Sequence, residues 1–263
     1  MATPVGGTNR RRAGGRAGKQ QRHEPVQAPA YLKREIPIYE MLNEEALQKI
    51  EHNADIILQE IGIDFKEDEE VLEIWRQAGC NVQGERVRFE KGMLRTIINA
   101  TSPKQFTQHA RNPDRSIEIG GDNMCFFPSY GSPFVHDLDN GRRYAKNEDF
   151  KNFIKLSHMS PWLHHSGGTI VEPMDLPVNK RHFDMVYNHI KYSDKCFMGS
   201  VTAPERAEDS IDMARIVFGK EFMEHNCSIL SVINVNSPLT YDGTMLGALK
   251  TYAKANQAVI VTP

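Results

Sequence analysis

The chain has 263 residues, of which 40% are apolar and 25% charged, with a formal net charge of −2. That length buries a sizeable core in one domain or two small ones, and the composition is ordinary for a globular protein. No run approaches the roughly 18 apolar residues of a membrane span, so no membrane partner is expected. In chain order, residues 1–30 read as a disordered basic tail that ends in a linker with Pro25 and Pro29. The first helix is predicted from Asn43 to about Ile61, with Asn43 as N-cap, Glu44 and Glu45 in the first turn and Gly62 as the stop. A second helix covers about Asp68–Ala78, and a small hairpin turns around Gly84 between Asn81 and Phe89. A third helix covers about Lys91–Ala100 and closes at Ser102-Pro103. Ile117–Gly120 and Asn123–Phe127 read as short strands, so residues 31–122 form an α+β elaboration.

Beyond that point the pattern becomes repetitive. Strands are predicted from Met124, Trp162, Cys196, Ser228 and Ala258, at spacings of 38, 34, 32 and 30 residues. Predicted helices at Asn147–Met159, Lys180–Ile190, Pro204–Phe218 and Tyr241–Ala255 fill the gaps. Such βα repetition calls for a parallel sheet with right-handed crossovers. An open doubly wound sheet and the first five strands of an eight-stranded barrel both satisfy it. The dinucleotide fingerprint GxGxxG is absent, which removes the usual cue for the open form.

Charge is unevenly spread. Residues 1–24 hold six basic residues and one acid, leaving 26 basic against 33 acidic residues in the rest, a net of −7. The tail has no interleaved aromatic residue and precedes an acidic body, so nucleic acid is not the expected partner. The tail is followed by no apolar stretch of a secretion signal. Cys80, Cys125, Cys196 and Cys227 are far apart, without CxxC spacing, and read as reduced thiols of a cytoplasmic protein.

In a parallel α/β barrel, chemistry gathers at the carboxyl ends of the strands. Those positions offer Phe127, Ser129 and Tyr130; His164, His165, Ser166, Gly167 and Gly168, with Glu172 beyond; Ser200 and Thr202; Asn234, Asn236 and Ser237, with Tyr241 and Asp242; and Thr262. His164 and His165 are the candidate proton-transfer groups. Neighbours on a strand face opposite ways, so at most one points inward, and either can equally be a packing histidine bonded to the backbone. Asn234 and Asn236 lie two residues apart and suit substrate contact or loop bracing. Phe127, Tyr130, Phe134, Trp162 and Tyr241 can offer ring faces to an alkylated ammonium, which has little or no hydrogen-bonding capacity. A zinc site from His164 or His165 with Cys196 and Glu172 lacks ligand spacing, and no metal is expected.

Four stretches resemble the trimethylamine methyltransferase family in order and spacing: Thr107-Gln-His-Ala-Arg-Asn-Pro-Asp-Arg-Ser-Ile-Glu-Ile-Gly-Gly-Asp122, Phe127-Pro-Ser-Tyr-Gly131, Val135-His-Asp-Leu-Asp-Asn-Gly-Arg-Arg143 and Asn147-Glu-Asp-Phe150. The resemblance covers about residues 35–263. It implies a (βα)8 TIM-type barrel preceded by the α+β elaboration, with residues 123–263 as its first part. It also implies transfer of a methyl group from a tertiary or quaternary amine, such as trimethylamine or glycine betaine, to the Co(I) of a corrinoid carried by a partner protein. Members of the family are longer, so the chain reads as a fragment, and a homo-oligomer is expected. In some members a pyrrolysine lies in the second half of the barrel, and relatives without it use quaternary amines. The competing expectation is a corrinoid-independent barrel enzyme doing acid/base chemistry with His164 or His165.

Overall fold

The computed structural model describes residues 29–262, and the expected basic tail lies outside them up to residue 28. Strand β1 (Leu32–Lys33) leads into helix α1 (Glu44–Ile56). The Asn43 side chain accepts the Ala46 N–H at 2.9 Å, capping the helix as its sequence predicts. The helix widens into a π-turn over Ile57–Ile61 and stops at Gly62. Gly62 has φ +78°, and a Cβ there would lie 2.3 Å from the Val87 carbonyl oxygen, so no larger residue fits. Strand β2 (Ile63–Phe65), helix α2 (Glu69–Gln77, capped by Asp68), the hairpin β3 (Asn81–Gln83) and β4 (Arg86–Arg88), and helix α3 (Met93–Thr101) follow. Their core contains Phe65, Val71, Leu72, Val87 and Phe89. Next comes an antiparallel hairpin of β5 (Gln105–Gln108) and β6 (Ile117–Gly120). The sequence pattern does not predict β5.

Two expected barrel strands differ. Of Met124–Tyr130, only the start is regular: β7 (Asn123–Met124) runs antiparallel to β1. Trp162–Ser166 is not a regular strand at all. Pro128 and Pro161 lack the N–H that a ladder needs, and the Trp162 N–H turns back to Ser160 Oγ at 3.3 Å. The two segments are still neighbours. The His164 N–H reaches the Phe126 carbonyl at 2.9 Å, and Ser132 bridges Val171 in parallel. Between them lies an unexpected hairpin, β8 (Phe134–Asp137) and β9 (Gly141–Tyr144), turned by Asp137 Oδ1 bonding to the N–H groups of Asp139 and Asn140.

The rest follows the repeat: α4 (Asn147–Met159), α5 (Arg181–Tyr192), β10 (Phe197–Met198), α6 (Pro204–Phe218), the unpredicted α7 (Lys220–His225), β11 (Ile229–Asn234), β12 (Thr240–Tyr241), α8 (Gly243–Lys254) and β13 (Ala258–Thr262). Strands β10, β11 and β13 form a parallel sheet in chain order. Backbone bonds extend that order backwards: Ser166 N–H to Cys196 O at 2.8 Å and Met198 N–H to Gly167 O at 2.9 Å. The five segments therefore lie side by side in sequence order, with their carboxyl ends together. Helices α5, α6 and α8 cover one side through Val186, Ala207, Ile211, Ala248 and Tyr252, packed on Phe197, Ile229 and Ile233.

The two sequence regions interlock. Strand β12 pairs in parallel with β2, and Leu246 of α8 belongs to the amino-terminal core.

Candidate functional site

The carboxyl end of the second segment is a tightly held turn, residues 165–170. Gly167 has φ +91°, and a Cβ on it would meet Pro128 at 2.6 Å. A Cβ on Gly168 would lie 2.8 Å from Tyr130 Cε2 and 2.9 Å from Met198 Cβ. Segment 128–130 and the third strand thus rest directly on the two glycines, which no side chain would allow. The Gly167 N–H donates to His165 Nδ1 at 2.8 Å, and the Gly131 N–H donates to the Thr169 carbonyl at 2.7 Å. The Gly168 carbonyl accepts twice, from the Ile170 N–H at 2.9 Å and from His189 Nε2 at 2.8 Å.

His164 and His165 are both closed off from solvent, at 4% and 0% exposure. His164 Nδ1 accepts the Phe126 N–H at 2.9 Å, and its ring lies over that of Phe126. His165 stacks on Phe127, with centroids 4.2 Å apart. Among the described residues neither Nε2 has a hydrogen-bond partner. Burial lowers both pKa values, His165 well below the usual histidine range, and the charge of Lys195 adds to both shifts. Both rings are therefore neutral at pH 7.

The other expected residues divide. Tyr130 is 45% exposed at the strand ends, against Gly168. Phe127 packs on His165 and beside the cluster of Ala110, Ile117 and Cys196. Trp162 is 54% exposed at the opposite, amino-terminal end of its segment, away from Tyr130 in chain direction. Glu172 is ion-paired with Arg181 at the start of α5. Asn234 Oδ1 accepts from Thr262 Oγ1 at 2.5 Å, tying the ends of β11 and β13. Asn236 braces its loop: its amide donates to Asp242 Oδ2 at 2.7 Å and its backbone pairs with Thr240. Ser237 is exposed in the same loop. Tyr241 belongs to β12, not to the helix as its sequence position suggests. The helix begins after Asp242, whose side chain accepts the Met245 N–H at 2.8 Å. Tyr241 stacks on Phe65 and faces the amino-terminal core.

Three arrangements are not legible in the sequence. Ser166 Oγ lies 2.7 Å from His189 Nδ1, both buried. His182 Nε2 lies 2.7 Å from Asp209 Oδ2. Buried Lys195 donates to the carbonyls of Ser157, Ser160 and Leu163, at 2.7, 2.9 and 2.5 Å, and so satisfies the end of α4. Helical histidines and an isolated lysine carry no signal in sequence, because their partners come from other elements. Thr202 and Arg206, at the third segment's end, bond to each other at 2.8 Å. Among the described residues Arg206 has no carboxylate partner, and no three His, Cys, Asp or Glu side chains gather in a way that could hold a metal ion. All four thiols are free, and no described helix is long and apolar enough to cross a membrane.

The chain is 47% identical over 227 residues to a glycine betaine methyltransferase of Desulfitobacterium hafniense (strain Y51), an alignment covering 86% of the chain and 47% of the relative. It is 26% identical over 219 residues to a proline betaine:corrinoid methyltransferase of Eubacterium limosum, covering 78% of the chain and 43% of that protein. The chain thus spans about half the length of the curated relatives it matches. The model for trimethylamine methyltransferase (MTTB) matches residues 9–263, and the chain belongs to that family.

Proposed function

We propose that this chain is part of a corrinoid-dependent methyltransferase that takes a methyl group from a betaine, with glycine betaine as the first candidate. The observation that carries the reading is the 47% identity over most of the chain to a glycine betaine methyltransferase. We read the five parallel segments as the first part of a (βα)8 barrel, with the substrate at their carboxyl ends beside Tyr130.

The chemistry of the site agrees with a quaternary donor. When the C–N bond of a quaternary ammonium breaks, the electron pair goes to nitrogen and no proton is needed. A tertiary amine leaves only after protonation. His164 and His165 are buried and neutral, so neither is a ready proton donor, and a quaternary donor asks for none. Tyr130 offers a ring face to the trimethylammonium group. We assign the betaine carboxylate to Arg206, a guanidinium that bonds only the Thr202 hydroxyl among described side chains. The corrinoid, carried by a partner protein, supplies the nucleophile that accepts the methyl group. This chain's part is to hold the donor methyl in line and keep water away.

The test follows the absorbance of a reduced corrinoid partner mixed with the protein that carries this chain. Glycine betaine, proline betaine, carnitine and trimethylamine are compared. Methylation with a betaine and not with trimethylamine is expected. No conversion with any betaine, by a partner shown to be reduced, overturns the reading.

A further inference from the structure

The bonding of His189 is forced by its neighbours. Its Nε2 faces the Gly168 carbonyl, which can only accept, so Nε2 must carry the hydrogen. Burial keeps the ring neutral, so Nδ1 is the acceptor and the Ser166 hydroxyl donates to it. Ser166, His189 and their bonds are buried at 0% and 1% exposure, between Phe150 and Phe197. A leucine would fill a similar volume. It would also strip a partner from the Gly168 carbonyl and leave a buried hydroxyl unpaired, which is costly in a dry site. Gly168 is in turn the surface on which Tyr130 rests.

We propose that His189 is a positioning residue: through the Gly168 carbonyl it fixes the Gly167-Gly168 turn, and with it the ring of Tyr130 that receives the substrate's ammonium group. The link to substrate rests on the function proposed above, whereas the link to the turn does not. His189 acts as a neutral, single-tautomer donor and takes no proton from the substrate. The line from Ser166 through His189 and Gly168 to Tyr130 carries a helix's position to the strand ends, and a rigid second layer of this kind is what a preorganised site needs.

The experiment compares wild type, His189→Gln, His189→Leu and His189→Met in the protein that carries this chain. Gln keeps an N–H donor for Gly168, and Leu does not. The first readout is hydrogen exchange at the amides of Gly131 and Ile170, which bond to Thr169 and Gly168. Leu is expected to speed exchange at both by roughly tenfold, with Gln recovering most of the protection, as one lost buried hydrogen bond implies. The second readout is the glycine betaine dissociation constant by calorimetry, expected to weaken about tenfold in Leu and to recover in Gln. Equal protection in wild type and Leu overturns the assignment. If Leu does not fold, His189→Met, which also offers Gly168 no N–H, decides by the same two amides: faster exchange there supports the assignment and unchanged exchange overturns it. A wild type that binds no betaine counts against the proposed function, and the exchange rates alone then decide the role of His189.

Discussion

The rings of Phe65 and Tyr241 lie parallel, 3° apart in plane and 5.5 Å between centroids. Phe65 lies on β2 and Tyr241 on β12, the short strand in the connection after the fourth parallel segment, so the two regions share a sheet and a core. Lys250 of α8 reinforces the join by reaching Asp68 at 2.6 Å and Glu70 at 2.9 Å. The elaboration is thus a wall against which the strand-end loop 236–242 is built.

Phe65→Ala should therefore destabilise both regions together. Phe65 is 5% exposed, and emptying such a site costs about 3 kcal/mol or more. Trp75, whose ring lies 5.7 Å from that of Phe65, reports locally, and far-UV circular dichroism reports globally. The two denaturant curves should coincide and shift together. Separate midpoints would mean that the regions unfold independently.

Acid should destabilise the protein through its buried histidines. Burial holds His189 at a pKa of about 4 against the ordinary 6.5, and pushes His165 well below its ordinary value. The unfolded chain then binds more protons than the folded one between about pH 4 and 6.5. The stabilisation is complete above about pH 6.5 and is lost as pH falls toward 4. For His189 alone the loss is on the order of 3 kcal/mol. Urea midpoints at pH 7.5, 6 and 5 measure it, and His189→Gln should flatten the dependence. A midpoint that does not move between pH 7.5 and 5 would refute this linkage.

Gly168→Ala tests the close approach at the turn. The new Cβ would stand 2.8 Å from Tyr130 Cε2, so the ring or the turn must move. Overpacking of this kind costs about 1–3 kcal/mol. Glycine betaine affinity should fall while the far-UV spectrum is kept. Undiminished affinity would place the substrate elsewhere.

Arg206→Gln separates recognition of the carboxylate from recognition of the ammonium. It should weaken glycine betaine at least tenfold, about 1.4 kcal/mol, and leave tetramethylammonium binding unchanged. Trp162→Ala, at the far end of its segment, should alter neither. Equal losses for both ligands in Arg206→Gln would rule out a carboxylate contact.

Lys195→Met removes the donor shared by the carbonyls of Ser157, Ser160 and Leu163, at and just beyond the end of α4. Buried acceptors left unpaired cost about 1–3 kcal/mol each, in part recovered by relaxation. A loss of roughly 2–4 kcal/mol in denaturant unfolding is expected, with betaine affinity per folded molecule unchanged. A stability within 0.5 kcal/mol of wild type, about the scatter of an ordinary surface change, would show that these bonds add nothing net.

Much of the fold is legible in the residues themselves. The helices at 44–61, 69–77, 147–159 and 204–218 stand where apolar period and caps put them, because Asn43, Asp68 and Gly62 act on their own backbone. The last parallel strands are legible as continuous apolar runs, although only β11 is largely buried and β13, at the sheet edge, leaves Ile260 and Val261 exposed. Short elements that need a distant partner are not: β12 and the second parallel segment exist through bonds to residues far away in sequence.

The candidate site shows the same division. Composition and strand order alone point to Tyr130, His165 and the glycines as a strand-end group, and the motif order points to the family. Only the tertiary structure decides that His164 and His165 are buried acceptors of backbone N–H groups, that Asn236 braces a loop, that Tyr241 faces the amino-terminal core and that His189 reaches Gly168. A side chain's period and cap are set by neighbours within a turn of chain, whereas its protonation, burial and partners are set by whatever the fold brings beside it.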